Sequence, residues 1–167
     1  MIVYDQSFNA NEYMVLILLV AGLLMMAVLP KRFPVKMTLC LLLIGTWFAE
    51  FYDHTISIPP IDLYDVNDKS SYEFMDFLSY VAYAPFCYLY IYLYDRYGIR
   101  KSTVPLYILV WSVGAIGFEW VGVHYGLYHY KHGYHLRYSF PIYLFMQSVV
   151  LLVFRYLKAT EAKKRGR

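Results

Sequence analysis

Five stretches of the chain are dominated by apolar residues: about Tyr13 to Leu29, Met37 to Tyr52, Glu73 to Tyr94, Val104 to His124 and Phe140 to Leu157. Each is near the roughly 20 residues that carry an α-helix across a bilayer core. The polar connections between them are too short to build a core of their own. The pattern predicts an all-α, polytopic membrane protein with five transmembrane helices in one bundle over residues 1–157 and a basic tail over 158–167.

Within that frame each stretch has its own character. The first is aliphatic and suits a lipid-facing helix, stopped by Pro30 and Pro34. No Lys or Arg precedes it, and the segment Met25 to Pro30 makes a poor cleavage site. It therefore reads as a retained span rather than a signal peptide. Pro59 and Pro60 forbid helix at the start of the acidic connection Thr55 to Tyr72. Ile61, Leu63 and Tyr64 imply that this connection packs back onto the membrane surface. Pro85 predicts a kink in the third stretch. The run Tyr88 to Tyr94 alternates with the period of a strand. A lone strand in lipid leaves its backbone unpaired, so helix is expected there too. Pro141 is tolerated in the first turn of the fifth stretch, and the tail after it is expected to fray.

Composition agrees. The chain has 167 residues, 60% hydrophobic and 16% charged, whereas soluble domains average roughly 45–50% apolar and 25% charged. The net charge of +3 matters less than its placement. Twelve of the fifteen Lys and Arg fall on one set of alternating connections: Lys31, Arg32, Lys36, Arg96, Arg100, Lys101, Arg155, Lys158, Lys163, Lys164, Arg165 and Arg167. Only Lys69, Lys131 and Arg137 fall on the other. The positive-inside rule then puts the N-terminus outside and the C-terminus in the cytoplasm of a cell that holds the protein in its plasma membrane. All five histidines and most acids come to lie on the outer side. The basic tail reads as an orientation signal and an anionic-lipid contact, not a nucleic-acid site.

Candidate chemistry gathers at that outer side. Glu119 is a carboxylate inside an apolar run, where such a group costs several kcal/mol unless it has a partner or a task. Glu50 lies at similar depth on the second stretch. Helical spacing sets Trp47, Glu50, Asp53 and His54 on one face. With Asp76 they could complete a polar pocket walled by Trp47, Trp120, Tyr80 and Tyr83. Ser112, Ala115, Gly122 and Gly126 flank Glu119, which means either tight helix packing or vacant space. His129, His132 and His135, spaced by three, are candidate metal ligands with an acid, although Gly133 interrupts them. Otherwise they form an interfacial aromatic and histidine cap. Cys40 and Cys87 read as small apolar core residues. There is no Cys-X-X-Cys pair, phosphate-binding glycine loop or dinucleotide fingerprint, so no cofactor is expected.

The C-terminal half also resembles a known family. Phe118-Glu119, the run Gly122 to Tyr128 and the run Tyr138 to Tyr143 carry the likeness, with Asp76 leading a tyrosine-rich helix. They resemble a family of small multi-span inner-membrane proteins of spore-forming bacteria. The resemblance extends from about Ser57 to Leu157. It implies a helical inner-membrane bundle, no assigned activity, and Asp76, Glu119 and Pro141 as shared positions. A looser likeness to membrane cyclases of isoprenoids rests on two glutamates alone.

Three functions remain open. The first is an outward pocket built on Glu50 and Glu119 that takes a cation, proton or small ligand, for transport or sensing. The second is a membrane enzyme using both acids as general acid and base on a lipid or isoprenoid. The third is a structural or assembly subunit, since so small a bundle suits a homo-oligomer or a membrane partner as well as the lipid around it. The orientation is testable directly. A cysteine placed by His132→Cys is expected to react with a membrane-impermeant maleimide in intact cells, and labelling only after lysis would reverse the assignment.

Overall fold

The computed structural model describes residues 1–165, and its regular structure is helical apart from one small ribbon. It has α1 (Ala10–Val28), α2 (Val35–Ile56), β1 (Tyr64–Val66), α3 (Phe74–Arg96), α4 (Val104–His124), β2 (Tyr128–Tyr130) and α5 (Leu136–Arg165). By length and composition all five helices could cross a membrane. Of the basic tail, 158–165 continues α5 rather than fraying, and 166–167 lie outside the described residues. α5 also begins at Leu136, ahead of the expected Phe140, so Pro141 stands inside the helix rather than in its first turn.

Local chemistry sets the ends. α1 opens on a capping box, in which the Glu12 carboxylate accepts the Asn9 N–H at 2.7 Å. α3 opens on another, where Asp76 accepts the Glu73 N–H at 2.6 Å. Pro34 precedes α2, and Pro59-Pro60, joined by a cis peptide, follows it. The Tyr88–Tyr94 run is helical, with Tyr88, Tyr90, Ile91 and Tyr92 all buried.

α3 is the pillar. α1 packs on it, α2 packs on it, and α4 pairs instead with α5, which reaches back to α2 and α3. The main apolar core joins Leu41 and Phe48 of α2, Tyr88, Tyr90, Ile91 and Tyr92 of α3 and Val150, Leu151 and Phe154 of α5. Two glycines make the α1–α3 and α2–α3 approaches possible. A Cβ on Gly22 would stand 2.7 Å from Pro85 Cβ, and one on Gly45 would stand 2.7 Å from Cys87 Cβ and 3.0 Å from the Ala84 Cα.

The two ends of the bundle are tied differently. At one end Asp95 of α3 accepts Arg32 Nε at 2.6 Å and also pairs with Lys158 of α5. At the other, the α2–α3 and α4–α5 connections meet as an antiparallel ribbon pairing Tyr64 with Tyr130, Asp65 with His129 and Val66 with Tyr128. Part of the acidic connection is thereby held against the α4–α5 connection, with Val66 buried, while Ile61 stays exposed. The N-terminal segment joins that end. Val3 bridges Lys69, the Tyr4 hydroxyl donates to Asp65 at 2.6 Å, and the Tyr4 ring stacks on His129 at 3.7 Å.

Backbone contact at Gly45 predicts a sharp sensitivity. Gly45→Ala should lower stability in detergent by about 1–3 kcal/mol through overpacking. Gly117→Ala, where nothing lies within 4 Å of the new Cβ, should be neutral or mildly stabilising in the same thermal melt. Equal melts for the two variants would contradict the packing described.

Candidate functional site

Glu119 is buried on α4, 7% exposed, and three hydroxyls converge on it. Tyr130 donates to Oε1 at 2.6 Å, Ser139 to Oε1 at 2.5 Å and Tyr143 to Oε2 at 2.7 Å. They come from two local features, β2 and the start of α5. After α4 the chain reverses at Gly126, which takes a positive φ of 79°, and the Leu127 N–H returns to the Gly122 carbonyl at 2.8 Å. Gly126 suits that left-handed backbone because it carries no Cβ. The turn launches β2, whose two-residue period puts Tyr128 and Tyr130 on the same side of the strand. Gly122 lets the Tyr128 ring close in, since a Cβ there would stand 3.0 Å from it. On α5, Ser139 and Tyr143 are one turn apart and both face α4. The Tyr134 hydroxyl pairs with Ser139 Oγ at 2.9 Å, extending the network.

Across from Glu119 stands a second acid, Asp53, in the last turn of α2. Tyr80 of α3 donates to its Oδ2, and Ser57 Oγ donates to its Oδ1 at 2.8 Å. The hydroxyls of Tyr83 and Tyr128 pair with each other. Asp53, Tyr80, Tyr83, Tyr128 and Glu119 line the ribbon end of a cavity of about 340 Å³ to which all five of α1 to α5 contribute. Its walls then turn apolar toward the middle of the bundle, through Gly45, Cys87, Val110, Met146 and Val150. Among the described residues lining it there is no Lys, Arg or His. The nearby basic group on the ribbon, Lys131, is held outside by Asp62 and by Asp65 at 2.8 Å. Burial pulls the Lys131 amine down, but its hydrogen bonds to the two carboxylates outweigh this and leave it raised.

The ribbon tyrosines register the same field. Burial first, then the charge of Asp53, with that of Glu119 further down, drives Tyr64 well above the ordinary phenol value. Burial, followed by the hydrogen bond to Glu119, does the same to Tyr130. Both stay neutral hydroxyls, which is the state that donates.

Of the residues expected at the site, the structure gathers Glu119, Asp53, Tyr80 and Tyr83 around one cavity. Glu50 is not among them. It is exposed, because it lies about 200° of helix rotation from Phe48, the residue α2 buries most deeply on that stretch. The expected Glu50–Glu119 pocket is therefore an Asp53–Glu119 pocket. Trp47 and Trp120 face outward, 52% and 61% exposed, and are not its walls. His54 is exposed, with its Nδ1 against the Glu50 carbonyl at 3.0 Å. Asp76 is 3% exposed, but its oxygens cap α3 and accept Asn67 Nδ2 at 2.7 Å, away from the cavity lining. The metal expectation fails on geometry. His129 lies on a strand against Tyr4, His132 turns with a φ of 49° to Asp62, and His135 lies beside Tyr138. Among the described residues no three His, Cys, Asp or Glu side chains are placed to hold a metal ion. Tyr128, Tyr130, Ser139 and Tyr143 were missing from the expected set. The alternation Tyr128-His129-Tyr130 and the four-residue spacing of Ser139 and Tyr143 were their only signals.

No protein-family model matches the chain, and no significant match is found among curated proteins or solved structures.

The hydroxyl cluster predicts unequal costs at Glu119. Glu119→Ala strands three hydroxyls, that of Ser139 buried and those of Tyr130 and Tyr143 partly so, and should lower stability by about 3 kcal/mol. Glu119→Gln keeps the shape, and hydroxyls can donate to its oxygen or accept from its amide, so about 1 kcal/mol is expected. Unfolding in detergent, followed by circular dichroism, distinguishes the two. Equal losses would mean that the hydroxyls do not depend on the carboxylate.

Proposed function

We propose that this is a multi-pass protein of the bacterial plasma membrane, N-terminus outside, whose cavity binds a small cation or amine for transport or sensing. One observation carries the reading. Two carboxylates, Asp53 and Glu119, share a cavity whose described lining holds no basic side chain. A cation supplies the missing charge. The aromatic walls add to this, since a desolvated cation over a ring face gains up to about 2 kcal/mol. The five apolar helices and the concentration of Lys and Arg at the Asp95 end support the membrane setting and the orientation. In that orientation the acidic end of the cavity lies at the extracytoplasmic side. The resemblance to inner-membrane proteins of spore-forming bacteria supports the compartment.

A structural role has its own support. Three hydroxyls from β2 and α5 meet Glu119 of α4, so the carboxylate locks that corner of the bundle. The two roles are compatible, because Tyr130, Ser139 and Tyr143 can hold the carboxylate in place while the cavity presents its charge.

Tetramethylammonium binding to the protein in lipid nanodiscs, by calorimetry, tests the reading. Asp53→Asn and Glu119→Gln should each weaken it by about tenfold, the loss of roughly 1.4 kcal/mol, and the double variant should not bind. Absence of binding in the unaltered protein, or full binding in the double variant, would overturn the proposal.

A further inference from the structure

The cavity reaches the flank of the bundle as well as its ribbon end. On α4, Val110, Gly114 and Phe118 recur every fourth residue. All three line the cavity and yet are exposed, Val110 by 61% and Phe118 by 54%. Side chains that face a cavity and the exterior together form the rim of an opening. Met14 and Leu18 of α1 line the same cavity from the other side. The seam follows from the packing: α4 leans on α5 and the ribbon, and α1 leans on α3. The ring contacts that join α4 to α3, Tyr107 and Trp111 against Tyr90, lie toward the start of α4, so that beyond them Phe118 faces Phe86 at 6.0 Å. Nothing lies within 4 Å of where a Cβ on Gly114 would stand.

Gly114 is midway along α4, so in a bilayer this opening faces hydrocarbon and not water. A bare ion does not enter that way, because a charge at that depth costs several kcal/mol. Yet Glu119 stands only five residues further along α4, about 7.5 Å at the helical rise. The cavity has room for an ammonium head at its acidic end, and the opening is a single row of side chains, which suits one chain lying along it.

Resting on the cation-binding reading above, we propose that the ligand is an amphipathic ammonium with a single alkyl tail. It enters sideways from the bilayer between α1 and α4. Its head lies between Asp53 and Glu119, and its tail lies along Val110, Gly114 and Phe118.

Two probes in nanodiscs test this, tetramethylammonium and decyltrimethylammonium, each corrected for its signal with the Asp53→Asn/Glu119→Gln protein. The unaltered protein should bind the decyl probe at least about tenfold more tightly, since burial of even two methylenes supplies that factor. Gly114→Leu, which fills the seam, should cut the ratio to below about threefold, and Val110→Trp should do the same from the neighbouring turn. A ratio unmoved in both variants, or near unity in the unaltered protein while tetramethylammonium still binds, overturns the seam but leaves the cation site standing. Failure of both probes to bind overturns the two proposals together. A decylammonium with a diazirine at its tail end gives a readout that needs no variant. Labels on residues 14–18 and 110–118 are expected, and labels on the ribbon, 64–66 and 128–130, would overturn the proposed placement.

Discussion

A carboxylate cannot sit among apolar helices without donors, and the architecture of the ribbon end follows from supplying them to Glu119. Tyr130 reaches it only because α4 ends in a tight reversal at Gly126. Ser139 and Tyr143 reach it only because α5 begins early enough to set both on the face toward α4. Three charge-assisted hydrogen bonds, each stronger than a neutral one, thus fix α4, β2 and α5 relative to each other. That corner in turn positions the other wall of the cavity, since Tyr128 lies on the same strand and meets Tyr83 of α3.

The bundle has two unequal parts. α1 and α2 press closely onto α3 at Gly22 and Gly45. α4 and α5 form a pair of their own, joined to the first three mainly through α5. Space remains where the two parts face each other, and polar side chains gather at one end of it. Apolar packing closes the rest with rings rather than aliphatic chains, as where Tyr90 stacks on Tyr107 at 5.1 Å and meets Trp111 at 5.5 Å.

The sequence carried the helices plainly, because a run of some 20 apolar residues leaves few alternatives. It carried Glu119 for the same reason: one acid in such a run stands out. It was less informative about Asp53 and Glu50, three residues apart near the end of α2. Both fit a polar face at helical spacing, and only the position of α3 decides that Asp53 turns inward, toward Tyr80, while Glu50 turns out. The histidines misled through their spacing, which has meaning on a helix and none across a strand and a turn. The ribbon itself was illegible, since three-residue strands become stable only by pairing across more than 60 positions. The hydroxyl donors shared that obscurity, as a tyrosine near a predicted interface reads as a belt residue until its partner is known.

In the proposed membrane setting, Asp95 has a consequence for how the bundle would meet charged lipid. Its one carboxylate pairs with two cations, Arg32 of the α1–α2 connection and Lys158 of α5, so the three groups together carry a single positive charge. An anionic leaflet attracts each basic side chain near its surface by about 1 kcal/mol, and the trio would count there as one such side chain rather than two. Removing the acid would therefore raise the charge at that end by one and double the trio's share of the attraction.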